Sequence, residues 1–139
     1  LDALEKIDSS AALSIATKAS TQKIKKRLNT SVTAILAKYG DESIFDFIAK
    51  QFEVLNDQSA EKFYMTVAFG QLLHKVNSPS KFKKGIDLIV KFRESIPKEY
   101  RSQSDPYFNT KVLAEILKAK KAKGQQDLVD MVIAVIPKI

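Results

Sequence analysis

The chain has 139 residues, 45% of them hydrophobic, which suits one globular domain with a core of its own and excludes a disordered composition. It contains no cysteine, so a disulfide framework, a thiolate metal site and a cysteine nucleophile are all excluded. The net charge is +7 and unevenly placed: residues 78–123 hold twelve basic and five acidic side chains, residues 1–77 ten and nine.

No apolar run approaches the roughly 18–20 residues of a membrane-spanning helix. The opening Leu1-Asp2-Ala3-Leu4-Glu5-Lys6 has no signal-peptide shape and no initiating methionine, and reads as the start of a processed chain or of a fragment of a longer protein.

Helical periodicity dominates. Ser9 or Ser10 can cap a first helix running to about Lys18, and Thr21 a long one ending near Tyr39, with Leu28, Val32, Ile35, Leu36 and Tyr39 on one face. Gly40 supplies a left-handed stop and Asp41 caps the next helix, whose stripe is Ile44, Phe45, Phe47, Ile48, Phe52 and Leu55. Asp57 or Ser59 opens a helix striped by Phe63, Val67, Leu72 and Val76. Asn77-Ser78-Pro79 ends it and starts another, with Pro79 in the first turn and Phe82, Ile86, Ile89, Val90 and Phe92 inward. Pro97 starts a short helical turn through Arg101, and Asp105-Pro106 repeats the cap-then-proline pattern ahead of Val112, Leu113, Ile116 and Leu117. Gly124 closes that helix, and Leu128, Val129, Val132, Ile133 and Ile136 mark the last. The sum is an all-α chain of about nine helices in antiparallel pairs, with no sustained strand alternation.

A weak internal register accompanies the pairs. A shift of 32 superposes Ala12–Ala16 on Ile44–Ile48, and a shift of 84 superposes Gly40 and Ile44–Ile48 on Gly124 and Leu128–Val132. One hairpin cannot bury its apolar face alone, so neighbours must stack. The expected architecture is a single helical-repeat domain over residues 1–139, a HEAT- or armadillo-like α-α superhelix, with an irregular helical bundle as the alternative.

Motifs for chemistry are missing. The one histidine, His74, has no cysteines or His-Glu-x-x-His with which to form a zinc site and no recognisable nucleophile motif around it for a serine triad, and it reads as a helix-terminal residue where the dipole favours a cation. No glycine-rich phosphate loop occurs. Asp41 and Glu42 suit a helix N-terminus, and Asp46 and Asp130, at matching repeat positions, suggest a structural role at a pair boundary. No catalytic, cofactor-binding or metal-ligating residue is therefore assigned.

Basic residues are the one candidate surface. Lys23, Lys25, Lys26 and Arg27 cover a polar helix face, and the excess further on singles out Lys81, Lys83, Lys84, Lys91, Arg101, Lys118 and Lys121 as an interaction strip. A nucleic-acid partner is disfavoured, because Phe45, Phe47, Phe52, Phe63, Phe82 and Phe92 fall on apolar faces and not on a stacking platform.

The segment Ile96-Pro97, Tyr100-Arg101-Ser102-Gln103-Ser104-Asp105-Pro106, within the stretch 80–124, resembles the C-terminal helical region of bacterial M1-family zinc aminopeptidases. The opening Ala3-Leu4, Ile7-Asp8, Ala12-Leu13 and Ala16 also resembles the helix pairs of that region. The resemblance implies a non-catalytic C-terminal domain that packs on the catalytic domain of the same polypeptide and shapes access to the peptide channel, meeting the peptide substrate only indirectly. It implies zinc in that separate catalytic domain and no cofactor in this chain. A free-standing α-solenoid that binds a protein partner is the alternative, and a basic helical-repeat nucleic-acid binder a third reading.

Overall fold

The computed structural model describes residues 6, 8–21 and 30–136, and all the regular structure among them is helical. Seven helices are delimited among the described residues: α1 (Ser9–Thr21), α2 (Thr30–Tyr39), α3 (Phe45–Val54), α4 (Ala60–Leu73), α5 (Pro79–Ser95), α6 (residues 101–122) and α7 (Gln126–Val135). Short 3-10 turns at Glu42–Ile44 and Lys98–Tyr100 lead into α3 and α6. The basic run Lys23–Arg27, Leu28 and the opening residues Ala3, Leu4 and Ile7 lie outside the described residues.

Local signals set most of the boundaries. Ser59 Oγ accepts from the Lys62 amide at 3.3 Å and caps α4. Ser78 caps α5, with Pro79 in its first turn, where a missing N–H costs nothing. The Asp41 carboxylate accepts from the Ser43 amide at 2.9 Å, and Pro97 precedes the second 3-10 turn. The first helix is capped differently from expectation: Asp8 Oδ1 accepts from the Ala11 amide at 3.1 Å, one residue before the serines. Thr21 ends α1 instead of opening α2.

Asp105-Pro106 starts no helix of its own. α6 already begins at Arg101, runs through Pro106, widens into a π-helical stretch at Phe108–Leu113 and continues as Ala114–Ala122. Proline has no N–H for the carbonyl one turn back, so the ladder is interrupted and the following turn re-forms with wider spacing. Asp105 is not a cap; its carboxylate holds Arg93.

The two glycines that anchored the 84-residue shift differ in kind. Gly124 adopts φ +69, the left-handed stop that the sequence suggested. Gly40 is not left-handed; it is glycine because a Cβ there would collide with Ile44 and the Leu36 carbonyl. The matching aspartates share no boundary role either. Asp46 is exposed in the first turn of α3, and Asp130 is exposed and accepts from Gln126 in its own helix at 2.8 Å.

Helix α4 lies at the centre, buried at Met65, Thr66, Ala68, Phe69, Gly70, Leu72 and Leu73, around most of its circumference. It packs on α2, α3, α5 and α6. Packing also joins alternate helices, α2 to α4, α4 to α6, α3 to α5 and α5 to α7. Rings link four helices: Phe52 of α3 stacks on Phe69 of α4 at 4.9 Å and meets Phe92 of α5 edge-on at 5.9 Å, and Phe92 meets Phe108 of α6 at 5.8 Å. The expected α5 stripe is buried throughout, but Tyr39, Phe47 and Ile133 reach solvent from their stripes.

Candidate functional site

The seven basic residues do not assemble into one site. Lys83, Lys84 and Lys91 are exposed along α5, Lys118 and Lys121 along α6, and Lys81 is partly covered. Lys83 is paired with Asp87 one turn on, at 2.9 Å. Arg101 is engaged by the main chain: its guanidinium donates to the Ile96 and Glu94 carbonyls, each at 3.0 Å. No hydrogen bond or ion pair joins the α5 group to the α6 group among the described residues. None of the seven lines the cavities described below.

The cations that do organise the structure are others. Each sits on the carbonyl-rich end of a helix, where the macrodipole is negative and carbonyls lack partners. Lys62 of α4 closes α3, donating to the Glu53 and Leu55 carbonyls at 3.4 and 3.3 Å and to Asp57 at 2.6 Å. Its ammonium also lies 5.0 Å from the Phe52 ring centroid. Lys75 closes α2 through the carbonyls of Lys38 and Gly40. Lys120, fully buried on α6, closes α4 by donating to the carbonyls of His74 at 3.1 Å and Val76 at 2.6 Å. Lys123 joins it on the His74 carbonyl at 2.6 Å. Burial pulls the Lys120 ammonium down to about 8, helped by the charge of Lys123. Part of the basic excess at 78–123 thus serves to close helix ends.

His74 does end α4, but not as a cation. Burial, reinforced by Lys120, Lys123 and Lys75, holds the imidazole pKa below its ordinary value against the opposing pull of Glu115. The charge at this helix end is that of the lysines.

Four hollows among the described residues are of note. The largest of these four, about 530 Å3, is bounded by the head of α4 (Asp57 to Tyr64), the end of α5 (Phe92 to Pro97), and Tyr100, Gln103, Ser104 and Tyr107. Beside it lies one of about 330 Å3 between α2, α4 and α6, sharing Tyr64 and Tyr107 with the first. Two more, about 420 and 90 Å3, surround Gln71 and His74. Together they follow the outward stripe of α4, Ala60, Tyr64, Val67, Gln71 and His74, at steps of three and four.

The first groove is aromatic. Phe63 and Tyr107 stack at 4.3 Å. Tyr64 and Tyr100 stand 74% and 56% exposed at its mouth, a degree of exposure that leaves their ring faces open to a partner. Burial raises the Tyr107 phenol pKa, and its hydroxyl donates to the Phe63 carbonyl at 3.3 Å. Sequence reasoning did not single out Tyr64 or Tyr107, and it quoted Tyr100 and Ser104 only within the segment that carries the resemblance, with no site role. One signal was available: Tyr100 and Tyr107 are seven residues apart, two helical turns on one face.

Among the described residues, no group of three His, Asp or Glu side chains could hold a metal ion, and no helix is long and apolar enough to cross a membrane. Comparison with family models, curated proteins and solved structures finds no match to this chain.

Proposed function

We propose that this chain is the non-catalytic C-terminal helical domain of an M1-family zinc aminopeptidase, which packs on the catalytic domain of its own polypeptide and shapes access to the peptide channel. One observation carries the reading. The segment in which the sequence resembles those enzymes, Ile96 to Pro106, forms the turn and helix start that wall the groove of about 530 Å3, where Tyr64 and Tyr100 leave wide aromatic area uncovered. Apolar surface of this kind suits a neighbouring domain. Zinc and the catalytic acid–base chemistry belong, in this reading, to that neighbour and not to this chain.

The finer fold goes with it. Packing between alternate helices supports stacked antiparallel pairs in a HEAT- or armadillo-like superhelix. The same pattern supports the second reading, a free-standing solenoid that receives a protein partner on the α2, α4 and α6 face, where three hollows meet. A nucleic-acid binder draws less support, because Lys62, Lys75, Lys120 and Arg101 already serve main-chain carbonyls.

The deciding experiment expresses the upstream catalytic domain with and without this chain and measures hydrolysis of short and long peptides. Removal is expected to change the ratio of long- to short-peptide turnover. Unchanged turnover and selectivity would overturn the aminopeptidase reading and leave the scaffold one.

A further inference from the structure

The α2, α4 and α6 face carries one continuous groove, apolar at one end and basic at the other. Its hollow of about 330 Å3 is lined chiefly by Ala34, Met65, Val67 and Ala68, with Tyr64 and Tyr107. Lys38 joins that hollow to the one of about 420 Å3, which Gln71, His74 and Lys75 line with Tyr39. The hollow of about 90 Å3 shares Val67 with the first and Gln71 and His74 with the second, and adds Lys111 and Glu115. Val67 and His74 mark the two ends along α4, about 10 Å apart at roughly 1.5 Å per residue.

At the basic end, cations outweigh anions. Lys75 donates to the carbonyls of Lys38 and Gly40, and Lys120 and Lys123 to that of His74. These acceptors are neutral, so the bonds orient the ammonium groups without cancelling their charge. The two helix ends that they close supply only roughly half a negative charge each. Lys38 and Lys111 add to the positive side. Two of the nearby carboxylates already serve main-chain amides, Asp41 that of Ser43 at 2.9 Å and Glu42 that of Ser78 at 2.8 Å. Glu115 is the carboxylate that lines the groove itself. His74 registers the excess: besides burial, the charges of Lys120, Lys123 and Lys75 hold its pKa down against Glu115.

We infer that this groove binds an acidic segment of another protein, with an apolar side chain in the Val67 hollow and side-chain carboxylates beside Lys38, His74 and Lys75. The charge sets the sign of the partner, because a basic segment would meet like charge there. The apolar end sets its class. A free inorganic anion would leave that end unused, and a nucleic-acid backbone would bring charge to it at a desolvation cost. An extended chain rises about 3.3 Å per residue, so the apolar side chain and the carboxylates stand about two to four residues apart on one side of it. The inference rests on the second functional reading, in which this face receives a protein partner, and supplies that partner's chemistry.

The chain's one histidine is the reporter for the test. The 139-residue chain is titrated with acetyl-Gly-Leu-Ser-Glu-Ser-Glu-Gly-amide, whose blocked ends leave the two glutamates as its only charges, and with the counterpart that carries glutamine at both. The His74 imidazole and the backbone amides are followed by nuclear magnetic resonance. The acidic peptide is expected to shift the amides of Val67, Gln71 and His74 and to raise the His74 pKa, because an anion favours the imidazolium. The glutamine peptide is expected to bind about ten-fold more weakly, the worth of two or three partly exposed charge pairs. Binding of the acidic peptide is expected to weaken as salt is added. Lys111→Glu, at an exposed position of the groove, is expected to remove the preference for the acidic peptide. Lys84→Glu changes the net charge equally from an exposed position outside the groove and is expected to keep it. Equal binding of the two peptides, or equal loss of preference in Lys111→Glu and Lys84→Glu, overturns the charge pairing and leaves the protein-partner reading of this face standing. Tighter binding of oligothymidylate than of the acidic peptide overturns the inference in favour of nucleic acid. No binding of either peptide overturns it together with that reading of the face.

Discussion

The ammonium of Lys120 donates to the main-chain carbonyl of Val76 at 2.6 Å, tying α6 to the segment that leaves α4, 44 residues away in the chain. The same ammonium reaches the His74 carbonyl and lies 5.2 Å from the Phe82 ring centroid on α5. One side chain thus holds three helices. Replacing it with methionine keeps most of the apolar stem and removes both hydrogen bonds, leaving the buried Val76 carbonyl without this donor. Lys120→Met is expected to lose about 1–3 kcal/mol at pH 7, read as a lower urea midpoint at constant slope. Lys118→Met and Lys121→Met, exposed on the same helix, are expected to stay within about 0.5 kcal/mol. Similar midpoints for all three would show that closing the helix end has no net worth.

The same residue sets a pH dependence. A lysine normally titrates near 10.5, and burial holds Lys120 at about 8. Between those values the unfolded chain carries more protons than the folded one, so stability rises with pH across the window. The neutral amine keeps two N–H groups, enough for both carbonyls. The stability gap between wild type and Lys120→Met should therefore widen from pH 8 to 10.5. His74 acts at the other end of the scale. Its folded pKa lies below the ordinary 6.5, so protons again favour the unfolded chain, and the contribution present above pH 6.5 is lost as the pH falls below it. His74→Gln should flatten the acid side of the profile. An acid limb unchanged by that substitution would contradict the assignment.

The glycines of the proposed repeat respond differently to alanine. At Gly124 the space is open and only the positive φ resists, so Gly124→Ala should cost about 1 kcal/mol and Gly124→Asn less. At Gly40 the obstacle is the Leu36 carbonyl and the Ile44 side chain, and backbone cannot move aside cheaply. Gly40→Ala should cost about 1–3 kcal/mol, with no relief from asparagine. Thermal denaturation of the four variants checks the order; a milder Gly40→Asn than Gly40→Ala would point to a left-handed residue after all.

Whatever depends on near neighbours was legible in the sequence. Ser59, Ser78-Pro79 and Gly124 act within a turn of themselves, and Phe82, Ile86, Ile89 and Phe92 show a period that tertiary contacts did not override. The misreadings share a cause. Gly40 and Gly124 each precede an apolar-apolar-Asp-apolar-apolar run by four residues but have different neighbours in space, and Asp105-Pro106 has the chemistry of a helix start inside a helix already under way. The groove was not legible, because it is a meeting of residues 57–64, 92–97 and 100–107 that no local spacing encodes. The lysine charge was visible but its destination was not: the carbonyls that Lys120 closes come from another helix's end.

Asp105 offers the test of that last kind of link. Its two carboxylate oxygens accept from Nε and Nη2 of Arg93, each at 2.9 Å, a paired geometry that joins the end of α5 to the start of α6. These are two walls of the tyrosine groove, with Phe92 and Ser104 adjacent to the pair in sequence. The hydrogen bonds that Arg93 donates to Asp105 raise its pKa further, but a guanidinium stays charged at neutral pH even without such a partner. Arg93 is 8% exposed, and removing the carboxylate leaves that charge poorly hydrated. Asp105→Ala is therefore expected to cost about 3 kcal/mol. Arg93→Met alone should also destabilise, but the double variant should cost less than the sum, because an apolar stem replaces a charge that no longer needs an anion. A double-mutant cycle in urea measures the coupling, expected at about 1–3 kcal/mol. Strict additivity would mean that the two walls are held by the Phe92 and Phe108 rings and not by the ion pair.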